Sequence, residues 1–261
     1  MQNTNRQTQH IISMDNLVNA CLRQIHRQFV PDDKLQQQQK PLSAQELTGA
    51  KLTLTLETAL SIRKSVVAGL DYGKDLSHFI VLGKLSDASQ DLSVVIYSEE
   101  ILANEPNGYR DIDRAAELVH KFGIETIVDD ANGIGADRHR ILKGMCPEIP
   151  VIGGFFDTAA YDRKENDLTT PHLHGASITV SKVAAVSSLL KALRNGRLLL
   201  RDDLENLQTV EDHLQSMYVC DLPRGRHDVI QPCIKYVHYE DHFFSALMYA
   251  RLAQWSLSNE T

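Results

Sequence analysis

Three closely spaced apolar runs narrow the fold of this chain more than any other stretch of it. They are SVVAGLDY (65–72), HFIVLGKL (78–85) and LSVVIYSE (92–99), each rich in Val, Ile and Leu and separated by short polar turns. Runs of this length and composition, bounded by turn residues, predict three antiparallel strands joined as hairpins. The periodicity then changes. IDRAAELVHKFG (112–123) carries its apolar residues at helical spacing and stops at a glycine. ETIVDD (125–130) reads as a buried strand, ANGIG leads into a helix near 136–143, and PVIGGFF (150–156) reads as another strand. VSKVAAVSSLLKALRNG (180–196) predicts a helix with a glycine stop, RLLL a short extended piece, and DDLENLQTVEDHLQSM (202–217) a further helix. Extended pieces follow near 218–221 and 228–237, and EDHFFSALMYARLAQW (240–255) closes the pattern as a helix.

An antiparallel meander followed by helix, strand, helix and strand is the order of an RNase H-like domain, a mixed sheet flanked by helices. Right-handed crossovers place the fourth strand parallel to the first and beside it. This domain is expected to span residues 65–261. Residues 1–64 read as a helical appendage and linker. MDNLVNACLRQIHRQF (14–29) has helical spacing, PDDKLQQQQKP (31–41) is polar and proline-bounded, and SAQEL (43–47) opens with the Ser-x-x-Glu of a capping box.

Composition excludes several classes. The chain has 261 residues, 43% of them hydrophobic and 23% charged. It has no apolar run near the roughly 18 residues that a membrane helix needs. The polar N-terminus lacks the apolar core of a secretory signal. The four cysteines show no CxxC pairing, which fits a reducing compartment. No GxxxxGK[ST] loop is present, so no P-loop ATPase is expected. A formal charge of −7 argues against indiscriminate nucleic-acid binding. It leaves room for a site where carboxylates hold metal and nearby cations hold phosphate.

The acids are the candidates for chemistry. Asp71 falls near the carboxyl end of the first strand and Asp129 near that of the fourth, so neighbouring strands would bring the two carboxylates to one sheet edge. Carboxylates that close repel unless they share a proton or a cation, and oxygen-rich clusters suit Mg²⁺ or Mn²⁺. Asp241 opens the last helix, whose apolar face (Phe244, Met248, Leu252, Trp255) would carry it toward the strand ends. Taken singly, each acid has a plainer reading: Asp71 as a turn residue, Asp129 and Asp130 as helix caps, Asp241 as an N-cap. Asp130 is expected on the opposite face of its strand from Asp129 and ranks below it. Gly133 and Gly135 would let backbone approach a ligand or simply make the strand-to-helix turn.

Taken together, Gly69-Leu70-Asp71-Tyr72-Gly73, Val128-Asp129 through Gly133 and Gly135, the glycine–apolar segment Gly196–Leu200, and Asp241 through Ala246-Leu247 resemble, in order, the motifs of one family. That family is the C-terminal nuclease domain of the phage terminase large subunit, and the resemblance covers roughly residues 40–255. It implies an endonuclease that cuts concatemeric viral DNA during packaging by two-metal phosphodiester hydrolysis. It implies two Mg²⁺ or Mn²⁺ ions held by Asp71, Asp129 and Asp241. It implies double-stranded DNA, a packaging ATPase, a small terminase subunit and a portal as partners, no membrane, and action in the cytoplasm of the infected host cell. Glu240-Asp241-His242 departs from the His-Asp-Asp run of many members, and the ATPase domain that normally precedes the nuclease has no counterpart here.

The remaining candidates are weaker. Arg224 and Arg226, in LPRGRH, read as a hairpin tip suited to DNA backbone contact, and Lys182, on the polar side of its helix, as a solvated lysine or a second phosphate contact. His213, Cys220, His227 and Cys233 have zinc-capable side chains at a spacing that fits no familiar finger, and His172 and His174 are expected in an exposed loop. Readings from other classes stay open: a Holliday-junction-resolvase-like nuclease, an actin-like phosphotransferase, or a non-catalytic module that docks on DNA or a portal.

Overall fold

In the computed structural model, residues 40–85, 92–103, 110–157, 171–224 and 229–259 are described; the expected helix at 14–29 lies outside them. The meander forms as read. β2 (Arg63–Asp71), β3 (Leu76–Leu85) and β4 (Ser93–Leu102) pair antiparallel in sequence order. The chain then crosses through α3 (Arg110–Phe122), whose buried Ile112, Ala115, Ala116, Val119 and Phe122 form one stripe against the sheet. Gly123 ends it with a φ of 60°, a left-handed conformation that favours glycine. β5 (Thr126–Asp130) returns parallel to β2 and beside it, as the right-handed crossover requires. α4 (Gly135–Met145) leads to β6 (Val151–Asp157), parallel again. This is the RNase H-like mixed sheet expected from the order of runs.

Two extensions widen the sheet. On one side, β7 (His172–His174) and β8 (Ser177–Ser181) add to β6. His172 and His174 therefore lie on an edge strand, not in the expected loop, because Gly175 at φ 61° makes the tight turn that returns the chain as β8. On the other side, β9 (Leu198–Arg201) pairs with β4 and with β1 (Lys51–Leu52). α1 (Ala44–Gly49) begins with the Ser43–Glu46 capping box, and α2 (Leu56–Ile62) feeds β2. Leu42, Leu47, Ala50, Leu52, Leu54 and Ala59 are buried, so the described part of the expected appendage packs into the core.

Helix α5 (Lys182–Arg194) starts two residues later than its periodicity suggested, because Val180 and Ser181 finish β8 and Ser181 caps the helix. α6 (Leu207–Leu214) occupies only the middle of the expected 202–217 helix. β10 (Met217–Arg224) and β11 (Val229–Tyr236) form a separate two-stranded ribbon that packs on α5. α7 (His242–Asn259) is buried almost all round and lies across β2, β3 and β5. It can approach that closely because Gly69 lacks a side chain: a Cβ there would sit 2.0 Å from the Ala246 carbonyl oxygen. No helix among the described residues is long and apolar enough to cross a membrane.

Candidate active site at the carboxyl ends of β2 and β5

Strand register decides which acids meet. Leu70 of β2 lies level with Asp129 of β5. Residues level in a parallel pair share a face, and the next residue on each strand turns to the other face. Asp71 and Asp130 therefore share the face covered by α7, while Asp129 shares the opposite face with Leu70. The contacts agree. The Asp71 carboxylate lies 2.8 Å from His242 Nδ1 at the start of α7. Asp130 hydrogen-bonds the Tyr249 hydroxyl two turns along that helix and accepts the Asn132 N–H at 3.0 Å. Asp129, fully buried, accepts from the Tyr72 hydroxyl at 2.9 Å and lies 2.7 Å from His139 Nδ1 of α4. Asp71 thus shares its face with Asp130, one residue farther along β5, and not with Asp129 as expected.

Asp241 immediately precedes α7, and its carbonyl accepts the Ser245 N–H at 2.9 Å as the helix begins. Its carboxylate lies 3.9 Å from Lys182 Nζ, the first residue of α5. Lys182 Nζ also donates to the Tyr236 hydroxyl at 3.1 Å, which ties the ribbon to the site. Arg224 ends β10, and Arg226 lies outside the described residues.

The electrostatics follow from burial and crowding. Burial raises the Asp71 carboxyl above its ordinary range and Asp241 adds to the rise, while His242 and Lys182 oppose it. Asp130 is pushed up to about 6, first by burial and then by the charge of Asp71. The bond to Asp71 holds the His242 imidazolium, raising its pKa. His78, level with Asp71 on β3, stacks on His242 with ring centroids 4.8 Å apart. Burial and the neighbouring His242 and His213 push it down to about 3, so it stays neutral. His213 accepts the Phe243 N–H at 3.1 Å through Nδ1, satisfying a donor that the first turn of α7 would leave orphaned.

On the far face a second polar network braces the loop after Asp71. Arg138 of α4 donates to the Gly73 carbonyl at 2.7 Å and lies 3.4 Å from Asp111. Ser77 donates to Asp111 at 2.6 Å and accepts the Gly73 N–H at 3.3 Å.

Among the described residues no group of three or more His, Cys, Asp or Glu is drawn together closely enough to hold a metal ion. The carboxylates on the α7 face nonetheless come from Asp71, Asp130 and Asp241, with the charge of Asp71 adding to burial in raising Asp130 and Asp241 adding to the rise of Asp71. That chemistry fits a hard divalent cation. Of the zinc-capable residues, Cys220 and Cys233 come together across the ribbon while His213 packs on His78, and His227 lies outside the described residues. Sequence reasoning did not reach His78, His242 or Tyr249. His242 left a signal as the last residue of Glu240-Asp241-His242, which departs from the family's run.

No family model matches the chain, and no curated protein matches it. Solved structures do. The large terminase from a thermophilic bacteriophage is 15% identical with a TM-score of 0.46, and the match covers 75% of this chain and 40% of that one. The nuclease domain of the large terminase subunit gp2 of bacterial virus Sf6 is 16% identical with a TM-score of 0.46, covering 78% of this chain and 94% of that one. The g2p large terminase nuclease domain from bacteriophage SPP1, a structure with bound Mn, is 13% identical with a TM-score of 0.43, covering 78% and 95%. The match therefore spans 40% of the length of the thermophilic phage protein. In structure, the chain is similar to the nuclease domains of phage large terminase subunits.

Proposed function

We propose that this chain is a divalent-metal-dependent endodeoxyribonuclease that cuts viral DNA during genome packaging, with Asp71, Asp130 and Asp241 as the metal-holding acids. The observation that carries the reading is that Asp71 and Asp130 share one face at the carboxyl ends of two parallel neighbouring strands, under the helix that Asp241 precedes. The sequence motifs supply the substrate class. Asp129, the residue first expected in this role, is instead a brace: it locks Tyr72 and His139 beneath the strand end and keeps the Asp71–Tyr72–Gly73 turn in place.

Mg²⁺ or Mn²⁺ at these oxygens, two ions by the family's pattern, would neutralise phosphodiester charge and acidify water. The chain's own groups do the rest. Asp130 gives up its proton to bind a cation, so affinity rises with pH. Tyr249 and the Asn132 N–H hold its carboxylate in one orientation. His242 holds one oxygen of Asp71 and fixes the carboxylate's orientation. Lys182 offers positive charge beside Asp241, where a DNA phosphate would enter. Backbone contacts from Arg224 and Arg226, a packaging ATPase, a small terminase subunit and a portal as partners, and the infected host's cytoplasm as the compartment, belong to the same proposal.

The test is cleavage of supercoiled plasmid in Mn²⁺ by the wild-type chain and by Asp71→Ala, Asp130→Asn and Asp129→Asn. The reading expects the first two variants to lose cutting and the third to keep it. Full activity of Asp130→Asn overturns the site, and full activity of Asp71→Ala overturns the nuclease reading.

A further inference from the structure

We propose that Cys220 and Cys233 form a cross-strand dithiol that low-molecular-weight disulfides, such as oxidised glutathione, convert to an intrachain disulfide stapling the β10–β11 ribbon. The two residues are directly opposed in the antiparallel register, midway along the ribbon. Their sulfurs are 3.6 Å apart, both as thiols, and both side chains are partly exposed. Directly opposed antiparallel residues have Cα atoms about 4.5 or 5.5 Å apart, both within the roughly 4.4–6.8 Å that disulfides span. Closing the bond therefore needs side-chain rotation and no change of register. Cys146 offers a contrast in the same chain: it is buried at the end of α4, and burial beside Glu148 pushes its thiol pKa up, away from the reactive thiolate.

The chemistry balances by two exchanges. One protein thiolate attacks a sulfur of the small disulfide, forming a mixed disulfide and releasing one small thiol. The second protein thiolate attacks the mixed disulfide at the protein sulfur, closing the Cys220–Cys233 bond and releasing the other small thiol. Two protein thiols lose two protons and two electrons, and one small disulfide becomes two thiols. The staple would prevent the ribbon's strands from separating or slipping past one another. The base of the same ribbon carries Tyr236, the partner of Lys182 at the acidic site.

The experiment uses the full chain, dilute and reduced, incubated across a series of oxidised-to-reduced glutathione ratios. Remaining thiols are alkylated under denaturing conditions and the chain is mapped by peptide mass spectrometry. The expected result is a joined Cys220–Cys233 peptide, lighter by two hydrogens, that rises as both residues lose alkylation together while Cys146 stays alkylated. In Cys220→Ser, Cys233 is expected to accumulate the glutathione adduct that the wild-type chain resolves. The proposal is overturned if the wild-type chain yields only separate glutathione adducts at the two cysteines, or bridges to Cys21, Cys146 or a second chain. The wild-type mapping decides this even if the variant fails to fold.

Discussion

Replacing Asp130 by asparagine should stabilise the metal-free protein while abolishing its response to metal. The folded Asp130 carboxyl titrates at about 6 against an ordinary 3.8. A carboxyl raised in the folded state contributes stability that is fully present below pH 3.8 and is lost as pH rises through about 6. At pH 8 the wild-type chain therefore carries an ionised acid that folding disfavours. About two pH units at 1.36 kcal/mol each set a ceiling near 3 kcal/mol, and discounting for the partial exposure of Asp130 leaves about 2 kcal/mol. The asparagine of the variant carries no charge, and its side-chain oxygen can still accept the Asn132 N–H now made at 3.0 Å. Urea denaturation in EDTA at pH 8 is expected to show Asp130→Asn more stable by about 2 kcal/mol, with the advantage vanishing near pH 4. Adding Mn²⁺ at a hundredfold its dissociation constant should raise wild-type stability by about 2.7 kcal/mol and leave the variant unmoved. Asp129→Ala should behave oppositely. It strands the buried Tyr72 hydroxyl, costs about 1–3 kcal/mol, and leaves the Mn²⁺ response intact. If Asp130→Asn is less stable than wild type in EDTA, or still gains stability from Mn²⁺, the assignment of Asp130 to the acidic site is wrong.

Three further outcomes test other parts of the structure. His78 is held neutral at about 3 against an ordinary 6.5, so its share of stability is present above pH 6.5 and is lost as pH falls toward 3. The slope of unfolding free energy between pH 6 and 4 should shrink by up to about 1.4 kcal/mol per pH unit in His78→Leu, and an unchanged slope would refute the neutral buried imidazole. Gly69→Ala puts a Cβ 2.0 Å from the Ala246 carbonyl and 2.3 Å from the Ala250 nitrogen; calorimetry should show a loss of about 1–3 kcal/mol or more, and a melting point equal to wild type would mean α7 is not seated as described. Lys182→Ala should weaken DNA binding and lower the steepness of its salt dependence by about one counterion, without weakening Mn²⁺ binding, as read by fluorescence anisotropy across a salt series.

Much of the frame was legible because its signals are local. The Val- and Ile-rich runs at 65–72, 78–85 and 92–99 alternate faces, and the stripe Ile112, Ala115, Val119, Phe122 repeats at helical spacing, so each element declares itself within about a dozen residues. Where the reading and the structure part, the cause lies between elements. His172–His174 became a strand because β8 was available to pair with it, and 202–217 yielded only eight helical residues because Arg201 closes β9 and bonds the Leu54 and Ile96 carbonyls instead. Choosing between Asp129 and Asp130 is the sharpest instance. Alternation shows that the two point to opposite faces, but which face meets Asp71 depends on the register of β5 against β2. The helix above the sheet packs against small residues beside both acids. Gly69 admits α7 on one face, and Tyr249 of that helix lies against Gly154, where a Cβ would come within 2.5 Å of its ring. Two glycines on one sheet face thus fix where α7 rests, and the seated helix holds Asp130 with Tyr249 and Asp71 with His242, leaving Asp129 to the network beneath. An acid's role in this fold is assigned less by its own motif than by the small residues that let the helix above it come close.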